Sequence, residues 1–189
     1  MVTAVNPIEH FKEQVASAIK SQKVKTNEMA EFYLTNLLAS FVTSTRLTNE
    51  PLAFVYLKAL NSTRAVQIQQ MRQLGDISLF TSGFFSDSLN RKIVDIDYYM
   101  AMGAASYSFV ASMHKSDNEH VSGLFSELAR KFAAFVDVLT EVSQRSRLTS
   151  SKDILRIYER WLRTKSKLAE KALRDIGIEP QQIGTKPVH

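Results

Sequence analysis

Residues 118–145 read NEHVSGLFSELARKFAAFVDVLTEVSQR, and this stretch decides the fold. Val121, Leu124, Phe125, Leu128, Phe132, Phe135, Val136, Leu139 and Val142 recur at three- and four-residue spacing. Side chains at that spacing share one face of an α-helix, so the stretch predicts a single amphipathic helix with a continuous apolar stripe. Upstream of it, Tyr98–His114 is the longest uncharged run in the chain. It falls short of the ~20 apolar residues that a membrane span needs, and Ser106, Ser108 and Ser112 dilute it. It therefore predicts a buried helix, running from about Leu89 to His114. The connection between these two long helices is short, which predicts that they pack antiparallel at the centre of a bundle.

Working further outward, helical signals recur. Asn6-Pro7 opens a first helix, with Ile8, Phe11, Val15, Ala18 and Ile19 at helical spacing. Thr26 is a candidate cap for a second, in which Met29, Tyr33, Leu37, Ser40 and Phe41 share a side. Thr48 or Asn49 is a candidate cap for a third, with Pro51 in its first turn and Leu52, Val55, Tyr56 and Ala59 following. A fourth starts after Asn61 or Ser62 and runs to about Leu74, where Gly75-Asp76 reads as a stop and a new cap. Ile77–Phe85 then reads as a two-turn helix or a buried strand, and the helical surroundings favour the helix.

A last helix follows the loop 146–151, runs to about Asp175 and stops at Gly177. Residues 179–189 hold two Pro and a Gly without periodicity and read as a tail. The expectation is an all-α, single-domain bundle of seven or eight helices over residues 1–178.

Composition supports this. The chain has 189 residues, 44% hydrophobic, with only six Gly and four Pro. That is too apolar for a disordered chain and too poor in turn residues for an all-β one. The absence of Cys excludes disulfides, thiolate metal sites and a Cys nucleophile, and fits a reducing compartment. Met1–Asn6 lack a basic run, so no targeting segment is read there and a cytosolic location is expected.

Between Leu74 and Phe109 the order LGDISLF, GFFSDSLNRK, VDIDYYMAMGAASY resembles a run found in uncharacterised bacterial helical proteins. That resemblance implies a bacterial cytosolic source and carries over no functional residue. Leu74, Gly75, Asp76, Ile77 and Ser78 are also similar to the distal-helix motif LGDLSGG of heme oxygenases, which would make His10 the proximal ligand. That family has two further glycines where this chain has Leu79 and Phe80. Glycines there let the backbone approach a heme, and bulky residues remove that approach. No cofactor is therefore expected.

Few residues carry recognisable chemistry. His10, His114, His120 and His189 are not spaced as helical metal ligands, and Glu9-His10 and Glu119-His120 are adjacent pairs pointing to different faces. No nucleophile elbow, phosphate loop or dinucleotide fingerprint occurs. Asp95, Tyr99, Met102 and Ser106 share one helix side. An internal Asp95 would need a partner such as Arg72, Arg91 or a Tyr hydroxyl, and reads as a structural network or a proton-transfer site. Ala101, Ala105, Ser108 and Ser112 form a small-residue line that reads as a tight helix crossing. With aromatics nearby it also reads as the border of an apolar pocket lined by Phe84, Phe85, Asp95, Tyr98, Tyr99, Met102 and Tyr107.

The strongest signal is the last helix. At ~100° per residue, Lys152, Arg156, Arg160, Arg163, Lys167, Lys171 and Arg174 fall within an arc of about 100°. Trp161, Leu162, Leu168 and Leu173 lie on the opposite side. Residues 152–175 hold eight basic and four acidic residues, so most of the net charge of +5 sits there. The stripe reads as a solvated face or as a surface for an acidic protein partner or a second copy of the chain. Nucleic acid or anionic lipid has the right charge, but no motif supports either. The favoured reading is a non-enzymatic, cytosolic binding protein. Homodimerisation belongs to that reading, since Phe32, Tyr33, Leu34, Leu37 and Leu38 exceed one narrow stripe. The alternative is a helical protein with an internal apolar cavity for a lipid-like molecule or heme.

Overall fold

A computed structural model of the chain describes residues 7–43, 51–84 and 96–145. These form seven α-helices: α1 (Pro7–Ser21), α2 (Glu28–Thr43), α3 (Leu52–Leu60), α4 (Arg64–Phe84), α5 (Ile96–His114), α6 (Glu119–Arg130) and α7 (Phe132–Arg145). The fold is all-α, as the periodicity requires. The chain divides into two units, Met1–Arg145 and Ser146–His189, and all seven helices belong to the first. The helix expected from Lys152, the boundary expected at residue 178 and the tail lie outside the described residues.

The centre of the first unit is α4. It packs against α5 on one side and α7 on another, carries α3, and touches α2. Gly75-Asp76 does not stop it, contrary to the sequence reading. Met71, Leu74, Ile77, Leu79, Phe80 and Phe84 are buried, so one helix gains a longer buried flank by running straight through. Ile77–Phe84 is thus the second half of α4 rather than a separate element. Phe80 stacks between Phe41 and Phe84, with ring centroids 4.2 Å and 5.1 Å away.

The stripe over 118–145 is buried where it was expected, from Phe125 to Val142. It is carried by two helices rather than one. Asn118 caps α6, its side chain accepting from the Val121 N–H at 3.1 Å. The break falls at Lys131, whose φ of −102° and ψ of 21° leave the helical region. Backbone hydrogen bonds still bridge it: Lys131 N donates to the Glu127 carbonyl at 2.9 Å and Phe135 N to the Lys131 carbonyl at 3.0 Å. The break lets the stripe change partners. Before it, α6 packs on α5 and touches α2; after it, α7 packs on α4 and α1. The expected pairing with α5 therefore belongs chiefly to α6, where the Ser122 hydroxyl donates to the Ala111 carbonyl at 2.9 Å.

A buried carboxylate ties this break to the start of the chain. Glu127 is 8% exposed. It accepts from Thr26 Oγ1 at 2.9 Å, Asn27 Nδ2 at 2.8 Å and Lys131 Nζ at 2.7 Å. Lys131 Nζ also donates to the Lys25 carbonyl. Thr26 is thus committed to Glu127, and the cap of α2 is Asn27, whose Oδ1 accepts from the Ala30 N–H at 2.9 Å. At the other end of α7, Arg145 pairs with Glu141 at 2.5 Å and donates to Ser17 on α1 at 2.7 Å.

Burial alone would raise the Glu127 pKa, but the hydrogen bonds from Lys131 and Thr26 and the charges of Lys131 and Arg130 outweigh it, so it lies below the ordinary carboxylate value. A carboxylate whose folded pKa is depressed adds stability above its unfolded pKa and loses it as pH falls through the folded one. Glu127→Gln is expected to cost about 1–3 kcal/mol near pH 7, since a charged acceptor for three donors is lost. In urea titrations the gap between wild type and variant should narrow steadily below about pH 4. A gap that stays constant down to pH 2 would show that the charge of Glu127 contributes nothing.

Candidate functional site

A second polar cluster in the described bundle lies where α2, α4, α5 and α6 meet. It is centred on Asp76, the residue that the sequence reading assigned to a helix cap. Asp76 Oδ1 accepts two hydrogen bonds, from the Tyr33 hydroxyl at 2.5 Å and the Tyr107 hydroxyl at 2.8 Å. Arg72, one turn earlier on α4, donates from Nε to the Tyr33 oxygen at 3.2 Å. Its guanidinium lies 5.3 Å from the Tyr33 ring centroid and 5.8 Å from that of Phe125. Phe125 meets Tyr33 edge-on at 5.5 Å and Tyr107 at 5.6 Å.

Local sequence builds this arrangement. Arg72 and Asp76 are four residues apart on α4 and so share a face. Gly75 and Tyr107 do the rest. A methyl group at Gly75 would lie 2.9 Å from Tyr107 Cζ and closer still to Cε1 and Cδ1. The missing Cβ is thus the space into which the Tyr107 ring fits. Gly103 makes similar room on α5, where an added Cβ would meet the Phe132 ring and, at 2.8 Å, Ser78 Cβ. Ser78 and Ser106 are fully buried with no partner for their hydroxyls, so their small size is what the contact uses.

The electrostatics define what the cluster can do. Tyr107 is 0% exposed. Burial first, and then the negative charge of Asp76, push its hydroxyl well above the usual tyrosine range. Tyr33 is pushed up by the same two causes in the same order, against a smaller pull from Arg72. Both phenols therefore stay protonated and donate to the carboxylate. The arrangement is a hydrogen-bonded clamp joining three helices rather than a source of tyrosinate.

Five of the seven residues expected to line an apolar pocket are described: Phe84, Tyr98, Tyr99, Met102 and Tyr107. Tyr107 belongs to the Asp76 cluster and Phe84 to the stack with Phe80. Tyr98 and Tyr99 are half-buried near the start of α5, their rings edge-on at 5.6 Å, and Met102 is half-buried one turn on. Burial, followed by its neighbour Tyr98, raises the Tyr99 pKa. Phe85 and Asp95 lie outside the described residues, so the carboxylate seen among tyrosines is Asp76. Ala101, Ala105, Ser108 and Ser112 are all exposed, which corrects their reading as a helix-crossing line. The small residues at the crossing are Gly75, Ser78, Gly103 and Ser106. The seven basic residues Lys152, Arg156, Arg160, Arg163, Lys167, Lys171 and Arg174 lie outside the described residues.

His10 is half-buried on α1 with its ring edge-on to Phe11 at 5.4 Å. Among the described residues no group of three or more His, Cys, Asp or Glu could hold a metal ion, and no helix is long and apolar enough to cross a membrane. The glycine shared with the heme oxygenase motif is covered by Tyr107 of this chain.

Sequence reasoning missed Asp76 because Gly-Asp is a common stop-and-cap signal. The contrary signal was present. Met71, Leu74 and Ser78 continue the helical period across Gly75, and Arg72 stands one turn before Asp76. Asp76→Ala strands two phenolic donors, one of them wholly buried, and is expected to cost about 2–4 kcal/mol. Tyr107→Phe removes one bond and leaves Asp76 with Tyr33, so about 1–2 kcal/mol is expected. Equal losses in chemical denaturation would show that the two hydroxyls do not depend on the shared oxygen.

Comparison with protein-family models, curated proteins and solved structures finds no match to this chain.

Proposed function

We propose that the protein is a non-enzymatic binding protein that contacts an acidic protein partner through the basic face of residues 152–174. The observation that carries this reading is the segregation of charge along the chain. Residues 1–145 hold 14 basic and 14 acidic residues, whereas residues 146–189 hold 10 and 5. The whole net charge of +5 thus falls on the last 44 residues. This division coincides with the one between the two units of the chain. A surface of one sign attached to a neutral body attracts partners of the opposite sign and accelerates their encounter.

The Asp76 clamp fits this reading, since its hydrogen bonds join helices to each other and its tyrosines hold their protons. A cytosolic setting and a second copy as the acidic partner belong to the same proposal. The second copy is the weaker choice, because the body it would offer is neutral overall.

The test uses immobilised polyglutamate as the acidic probe. The charge-reversed chain Arg156→Glu, Arg160→Glu, Arg163→Glu and Lys167→Glu is compared with a control carrying Lys12→Glu, Lys20→Glu, Lys25→Glu and Lys115→Glu. All four control lysines are exposed on the first unit, and the change in net charge is the same. Both variants should keep the helical circular dichroism of the wild type. The first is expected to lose retention at least tenfold and the control at most threefold. Equal losses would show that net charge alone drives binding, and unfolding of the first variant would make the stripe structural; either contradicts the proposal.

A further inference from the structure

The two phenols of the Asp76 cluster share one proton acceptor, an arrangement that a binding role does not use. Removing an electron from a phenol leaves a cation, and inside the bundle that cation has no water to solvate it. A buried tyrosine therefore gives up an electron readily only where its hydroxyl proton can leave at the same time, to an acceptor already in place. Tyr33 and Tyr107 have that acceptor, since their hydroxyls donate to Asp76 Oδ1 at 2.5 Å and 2.8 Å. Tyr56, Tyr98 and Tyr99 donate to no carboxylate among the described residues.

The surroundings separate the two phenols. Arg72 lies 5.3 Å from the Tyr33 ring centroid and donates from Nε to the Tyr33 oxygen at 3.2 Å. Both contacts favour the electron-rich phenol and oppose loss of an electron from it. No cation lies over the Tyr107 ring among the described residues. Tyr107 is also wholly buried, with the Phe125 and Phe132 ring centroids 5.6 Å and 5.9 Å away. A radical there is shielded from water and from a second radical. Tyr33 is half-buried and meets Tyr107 edge-on at 6.2 Å, which gives an electron a short route from the interior to the surface.

We propose that Tyr107 is a one-electron oxidation site, at which the chain holds an oxidising equivalent as a neutral tyrosyl radical. The co-reactant is a one-electron oxidant of the inorganic-radical class, acting at the surface beside Tyr33. The electron leaves Tyr107 by way of Tyr33 and reduces that oxidant. The Tyr107 O–H bond breaks, and its proton forms a new O–H bond on Asp76 Oδ1. Asp76 and the two phenols together pass from one negative charge to none, so no buried charge is created. This site does not depend on the basic face of residues 152–174.

The test is pulse radiolysis of the full chain with azide radical, which becomes azide as it takes one electron. Tyrosyl absorbance is followed in time, and frozen samples are read by electron paramagnetic resonance. Wild type is compared with Tyr107→Phe, Tyr33→Phe and Asp76→Asn, and with the double variant Tyr98→Phe/Tyr99→Phe as control. The wild-type radical is expected to outlive that of Tyr107→Phe at least tenfold, and the control should match wild type within twofold. Tyr33→Phe should slow formation and leave the lifetime within twofold. Asp76→Asn keeps an acceptor oxygen but takes up no proton, so its radical should decay as fast as that of Tyr107→Phe. One readout needs no variant and so stands however the variants fold: the wild-type radical should show a coupling to one exchangeable proton, from protonated Asp76, that disappears in heavy water. Equal lifetimes in wild type and Tyr107→Phe would overturn the proposal. So would loss of the long-lived radical in Tyr33→Phe or in the control, or a wild-type radical without the exchangeable coupling.

Discussion

The close contact of α4 with α5 at Gly75 is the constraint on which the rest of the bundle depends. The Tyr107 ring occupies the space where a side chain on α4 would stand, and its hydroxyl reaches Asp76 one residue further on. The same carboxylate oxygen takes the Tyr33 hydroxyl, so α2 is fixed to that pair. Phe125 lies against both tyrosines and brings α6 into register. A buried carboxylate is costly alone, and here two phenols and the neighbouring Arg72 offset that cost. The arrangement also explains why the small residues lie on the buried side of α5, while Ala101, Ala105, Ser108 and Ser112 face outward.

Glu127, two residues beyond Phe125 and so on another face of α6, does the corresponding work there. It gathers Thr26, Asn27 and Lys131 where the stripe changes partners. Asp76 and Glu127 use their charge inside the bundle, which is neutral overall over residues 1–145. The net positive charge of the chain falls instead on residues 146–189.

Much of the architecture was legible from period alone. Phe11, Val15 and Ala18 on α1 and Phe125 to Val142 on α6 and α7 are buried where the spacing puts them. What failed was punctuation. Gly75-Asp76 has the chemistry of a stop, but the glycine serves a contact with a residue 32 positions later, which local sequence does not reveal. The break at Lys131 carries no Gly or Pro, since it reflects a change of packing partner. The end of α1 is similar: Lys23 takes a positive φ of 52° where a glycine would have been the readable signal. Of the candidate sites, a carboxylate among tyrosines was expected at Asp95, which lies outside the described residues; Asp76, which the structure places between Tyr33 and Tyr107, was read as a cap.

The stability of Gly75→Ala tests the α4–α5 contact most directly. In an exposed helix interior, alanine is worth about 1 kcal/mol over glycine. Here the added methyl meets a fully buried ring, and overpacking of that kind costs about 1–3 kcal/mol. A net loss of about 1–2 kcal/mol in urea denaturation is expected once the propensity gain is counted. A variant as stable as wild type, or more stable, would contradict the contact and with it the assignment of Asp76 and Tyr107 to one clamp.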